Sequence, residues 1–91
     1  MTRMLASYVL ALEQSSRATV RAEDRPIYQQ LLADAASLLA AAVAGEELES
    51  ILARISTHDR LWGHTWLQDS AYKPASDAWE AAKAFCRARI A

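Results

Sequence analysis

Asp24-Arg25-Pro26-Ile27-Tyr28-Gln29-Gln30-Leu31-Leu32-Ala33-Asp34-Ala35-Ala36-Ser37-Leu38-Leu39-Ala40-Ala41-Ala42-Val43-Ala44-Gly45 is the stretch that decides the fold. Pro26 has no amide hydrogen with which to continue a preceding helix, but its fixed φ suits the first turn of a new one. Asp24 stands where it can cap that turn. Ile27, Tyr28, Leu31, Leu32, Ala35, Leu38, Leu39, Ala42 and Val43 recur at three- and four-residue steps, an apolar stripe wide enough for the most buried helix of a bundle. Gly45 can adopt the left-handed conformation that closes a helix, so a helix is expected over about residues 25–44. Ala33, Ala36, Ala40, Ala41 and Ala44 are small enough for neighbouring helices to approach closely. The same surface suits a homodimer, but a chain this short needs its central helix for its own core, and that is the expectation.

Working outward, residues 2–22 contain no helix breaker, and Leu5, Tyr8, Val9, Leu12, Ser16 and Val20 trace a narrow apolar stripe. Glu13, Arg17 and Arg21 follow at steps of four and can pair along the surface. Arg3, Arg17, Arg21 and Arg25 are read as a solvated face rather than a phosphate-binding ridge, because the whole chain is close to neutral. Beyond Gly45, the Glu46 and Glu47 charges suit a helix N-terminus, and Leu48, Ile51, Leu52 and Ile55 predict a short helix over about residues 46–55. Ser56, Thr57, His58 and Asp59 resemble a capping box, which predicts a further short helix or turn at 57–67. Gln68 to Pro74 reads as a connector. The last helix is expected over 75–90, with Ala75, Ala78, Trp79, Ala82, Phe85, Cys86 and Ile90 on its buried face. Asp77 and Glu80 near its start and Lys83, Arg87 and Arg89 toward its end complement the helix dipole.

Composition agrees with this all-α reading. Of 91 residues, 20 are alanine and three are valine, a balance that favours helix over strand. No repeat or composition shift marks a second unit, so residues 1–91 are expected to form a single helical domain. The net charge of −1 lacks the basic excess of a dedicated nucleic-acid binder, which makes nucleic acid an unexpected partner. Met4 to Leu12 is a mostly apolar run behind Arg3, but Ser7 and Tyr8 interrupt it and no Ala-x-Ala pattern closes it. No apolar run approaches the ~18 residues of a membrane span. The protein is therefore expected to be cytoplasmic, without a membrane partner.

Chemistry concentrates in Ser56 to Asp69, which holds both histidines, two of the three tryptophans and no alanine. His58 and His64 are six apart, and at about 100° per residue they leave a helix on different sides, so an ordinary helical metal pair is not expected. Cys86 is the one thiol, and its apolar helical setting is that of a small hydrophobe rather than a nucleophile. With only Gly45 and Gly63 available, a glycine-rich phosphate loop is excluded, and no cofactor is expected. Trp62 and Trp66, spaced i, i+4, are expected to close one end of the bundle, or else to form an aromatic platform flanked by Arg60, His64 and Gln68.

The expected function is that of a small non-enzymatic protein-protein interaction or regulatory module, with Arg60, Trp62, His64, Trp66 and Gln68 as the partner-binding residues. One alternative is a helix-turn-helix-like DNA-binding unit over 46–67, in which the polar break at Ser56–Asp59 supplies the turn. A small metal-dependent enzyme is a more distant one.

Overall fold

Four apolar-striped helices joined by short connections form a bundle. The computed structural model describes residues 1–90 and contains α1 (Thr2–Ala18), α2 (Arg25–Val43), α3 (Leu48–Gly63) and α4 (Lys73–Ile90), with 3-10 turns at Ala22–Asp24 and Ser70–Tyr72. There is no strand among the described residues, and none of their helices is long and apolar enough to cross a membrane. One core draws on all four helices: Leu5, Tyr8 and Leu12, then Tyr28, Leu31, Ala35 and Leu38, then Ile51 and Ile55, then Ala75, Trp79, Ala82 and Cys86.

Each helix lies beside two others. α1 packs extensively on both α2 and α4, α2 packs on α3, and the α3–α4 side is the sparsest of the four. The helix with the fullest packing is thus α1 rather than α2. Of the wide α2 stripe, Tyr28, Leu31, Ala35 and Leu38 are buried and Ile27, Leu32, Leu39 and Ala42 pack partly buried against the core, while Val43 is 67% exposed; beside the stripe Ala41 is buried and Ala33, Ala36, Ala40 and Ala44 are exposed.

Helix ends follow tertiary bonds where these compete with local signals. α1 stops at Ala18, four residues short of its expected end, because Thr19 turns extended. The Thr19 hydroxyl and the Val20 amide both donate to the Asp69 carboxylate, at 3.2 and 2.9 Å. Ser15 and Thr19 are therefore buried in place of Ser16 and Val20. Arg21, now beyond the helix, pairs with Glu23 and Asp24 rather than with Glu13. Asp24 does not cap α2 through its side chain; it is buried and accepts from the Asp69 amide.

α3 departs furthest from expectation. The predicted helix at 46–55 and the turn at 57–67 are one continuous helix ending at Gly63, and the capping box at Ser56–Asp59 does not form. Thr57 instead donates back to the Ala53 carbonyl at 3.1 Å, a bond that leaves the helix ladder intact. The turn required by a helix-turn-helix over 46–67 is consequently missing. Glu46 and Glu47 precede α3, and Glu46 accepts from Ser50 and Arg54. The connector to α4 occupies residues 64–72 rather than 68–74, and Pro74 lies in the first turn of α4. Phe85 is 37% exposed rather than core, while the side chain of Ile90 lies outside the described residues.

α2 ends as its glycine predicts. Gly45 has φ of 75°, its amide donates to Ala42 and the Glu46 amide donates to Ala41, the two bonds of a Schellman cap. No atom lies within 4 Å of a β-carbon built there, so Gly45→Ala tests backbone strain alone. It is expected to cost about 1–2 kcal/mol, read as a drop in melting temperature of roughly 4–16 °C.

Candidate functional site

Two connected features occupy the α3 half of the bundle, a polar relay inside it and an aromatic cleft at its thin side. The relay begins with Tyr8, which α1 directs into the core, where its ring is 1% exposed. His58 continues the apolar spacing of Ile51 and Ile55 along α3 and is fully buried. His58 Nδ1 lies 2.8 Å from Asp34 Oδ2 on α2, and Nε2 lies 2.5 Å from the Tyr8 hydroxyl. Trp62 Nε1 donates to the same hydroxyl at 2.7 Å.

These bonds fix the proton positions. A carboxylate only accepts, so Nδ1 carries the proton, and the neutral ring then accepts at Nε2 from the Tyr8 hydroxyl. The Tyr8 oxygen accepts in turn from the Trp62 indole. Burial drives the His58 pKa below the usual histidine value, against the opposing pull of Asp34 and Asp59. Burial likewise pushes the Tyr8 hydroxyl well above its ordinary pKa, so Tyr8 is no nucleophile at neutral pH.

A second cluster adjoins the first through Trp79. Its ring meets Tyr8 at 4.9 Å and His58 edge-on at 4.6 Å between centroids. Its indole donates to Asp59 Oδ1 at 3.0 Å, and Lys83 Nζ reaches the same oxygen at 2.7 Å and Glu80 at 3.0 Å. The Lys83 bond holds the Asp59 carboxyl below its usual pKa. Burial opposes the charge on Lys83, yet Asp59 and Glu80 together keep its pKa raised. Asp34, His58, Tyr8, Trp62 and Trp79 thus link all four helices by polar or aromatic contacts.

Sparse packing between α3 and α4 leaves a cleft of about 470 Å³, lined by Asp59 and Trp62 of α3, Trp79 and Glu80 of α4, and Trp66 and Tyr72 of the connector, among others. The connector is fastened at both ends. Thr65 donates to the Trp62 carbonyl at 2.8 Å, and Asp69 bonds Thr19, Val20 and Ala71. Leu67 packs against the core. Its neighbour Trp66 is 80% exposed, and it also borders a smaller cleft of about 220 Å³ formed with Ile27, Leu31 and Leu61.

The five residues expected to bind a partner therefore separate. Trp62 is half-buried and tied to Tyr8, whereas Arg60, His64, Trp66 and Gln68 are exposed. Trp62 and Trp66 do not share a helix face, because α3 ends at Gly63 between them. His58 has both nitrogens engaged, so neither is available to a metal without breaking the relay. No group of three histidine, cysteine, aspartate or glutamate side chains converges to hold a metal among the described residues. Cys86 is buried, and burial raises its thiol pKa, the setting of an unreactive thiol.

The sequence reading places Tyr8 only on the apolar stripe of α1 and Lys83 only among the charges toward the end of α4, and it does not single out Asp34. A signal existed for His58, since 51, 55, 58 and 62 continue one helical stripe, and a histidine on such a stripe needs polar partners on facing helices. Compared with known protein families, curated proteins and solved structures, the chain matches none.

Proposed function

We propose that this protein is a protein-protein interaction module whose contact face is the 60–68 segment centred on Trp66. The observation that carries the reading is the 80% exposure of a tryptophan on a connector fastened at both ends. Leaving an indole in water forgoes the stabilisation that burying it would bring. Fastening the backbone around it reduces the entropy lost when a partner covers the ring. Tryptophan and arginine are favoured as interface anchors, and Arg60 is exposed one turn before the end of α3. Trp62 contributes from beneath as a support, since its indole is committed to Tyr8.

Trp66→Ala tests this reading. Because the ring packs little on the core, the substitution is expected to change stability by no more than about 0.5 kcal/mol. Affinity capture from the native lysate is expected to lose at least one stoichiometric partner with this variant. If Trp66→Ala melts like the wild type and retains every captured protein, the 60–68 segment is not the contact face.

A further inference from the structure

We infer that His58 is a proton switch: when its ring takes up a proton, the Trp62 indole is released from Tyr8 toward the cleft between α3 and α4. The inference goes beyond the contact-face reading and is tested without a partner.

The relay has no place for an extra hydrogen. Two contacts meet at the Tyr8 hydroxyl, one with His58 Nε2 and one with Trp62 Nε1. With neutral His58, two hydrogens serve them: the hydroxyl donates to Nε2, and the indole donates to the hydroxyl oxygen. Protonated His58 carries a third on Nε2, and each contact holds only one. The Nε2 hydrogen then points at the Tyr8 oxygen, and the hydroxyl hydrogen is left facing the Trp62 N–H, donor against donor. One of the two contacts has to break. On the other side of the ring Nδ1 donates to Asp34 in both states, and the charge strengthens that bond.

Packing decides which contact yields. Tyr8 is 1% exposed and His58 fully buried, so displacing either one opens the core. Trp62 is half-buried, borders the cleft and stands on the sparsest side of the bundle. Its indole has the least packing to lose. Its departure also lets water from the cleft reach the Tyr8 hydroxyl, which then has an acceptor again.

Charges from every side bear on the ring. Asp34 of α2 and Asp59 of α3 draw the proton on, and α1 offers the Tyr8 hydroxyl. α4 lays the Trp79 ring against His58 and sets Lys83 and Arg87 on Asp59, which moderates the pull of that carboxylate. Arg54 borders the α2–α3 cleft with Asp34, but its guanidinium bonds Glu46. Burial opposes the charge most strongly, so uptake occurs on the acid side of the ordinary histidine value.

Magnetic resonance of the His58 ring nitrogens and of the three indole N–H groups, followed from about pH 7.5 to about pH 5, tests the inference. The Trp62 signal is the one that Trp62→Phe removes. Trp66, at 80% exposure, serves as the reference for an indole open to solvent. With His58 neutral, the Trp62 hydrogen is expected to exchange with water more slowly than that of Trp66. As His58 takes up its proton, Trp62 is expected to lose this protection and reach the Trp66 rate, while Trp79 stays protected because the core is still folded. In His58→Gln, which has no proton to gain, Trp62 is expected to keep its protection over the whole range. Trp62 protection that survives protonation of His58, or that is lost equally in His58→Gln, overturns the switch. A His58 ring still neutral at about pH 5 overturns it too, as does a simultaneous loss of Trp79 protection, which would be unfolding of the core as a whole.

Discussion

Trp79→Ala is expected to lower the melting temperature by at least ~12 °C, the largest effect of any single tryptophan replacement in this chain. Trp79 is 1% exposed and is the largest fully buried side chain. Truncating such a residue costs about 3–5 kcal/mol through lost burial and the cavity left behind. A chain of this size has roughly 5–14 kcal/mol in total, at about 0.05–0.15 kcal/mol per residue. The loss also reaches beyond the cavity. Tyr8 and His58 each lose a ring neighbour, and Asp59 loses the indole bond while keeping Lys83. Trp79→Phe separates these contributions, because it keeps an aromatic ring and removes only the indole hydrogen bond and part of the volume. Recovery of more than half the lost stability is expected from it. A Trp79→Ala protein that melts within about 4 °C of the wild type, equivalent to at most about 1 kcal/mol, would mean that the α1–α4 core is not the main source of stability.

The contrast with Trp66 follows from where each residue stands relative to a helix end. Trp79 was legible from sequence because Ala75, Trp79, Ala82 and Cys86 keep helical spacing inside one element, and all four are buried. Trp62 and Trp66 keep the same spacing, but the helix ends at Gly63 and the second indole leaves the stripe. Periodicity gives the face of a residue only while the helix continues.

Ser56–Asp59 illustrates the opposite failure. Ser, Thr and Asp are cap formers in isolation, so the tetrapeptide looked like a boundary. In the folded chain His58 bonds Asp34 and Tyr8, and Asp59 bonds Trp79 and Lys83. These partners lie 20 to 50 residues away in sequence. A local reading contains none of them, yet together they keep the helix going through its polar stretch. The lost end of α1 has the same cause, since Asp69 captures Thr19 and Val20 from 50 and 49 residues further along.

The relay around His58 makes the fold sensitive to mild acid. Its pKa is lowered from the ordinary 6.5 chiefly by burial. Between that value and the lower folded one, the unfolded chain binds a proton that the folded chain excludes. Stability therefore falls as pH falls, by up to about 1.4 kcal/mol per pH unit. The contribution is fully present above the ordinary value, and the loss is complete once pH drops below the folded one. The bonding explains the penalty: a protonated ring donates from Nε2, which deprives the Tyr8 hydroxyl of its acceptor and strands a buried donor at a cost of about 1–3 kcal/mol. Asp59, Asp69 and Glu46 also have lowered pKa values, but their contributions are lost only in the more acidic carboxylate range. Urea unfolding is expected to show the wild type less stable at about pH 5.5 than at about pH 7.5, by at most about 1.4 kcal/mol because only the pH unit below 6.5 contributes. His58→Gln can still donate toward Asp34 and accept from Tyr8 but has no proton to gain, so its stability should be nearly level across the same interval. A wild-type curve as level as that of His58→Gln would mean that the folded chain takes up the proton as readily as the unfolded one, and the neutral Asp34–His58–Tyr8 relay would be wrong.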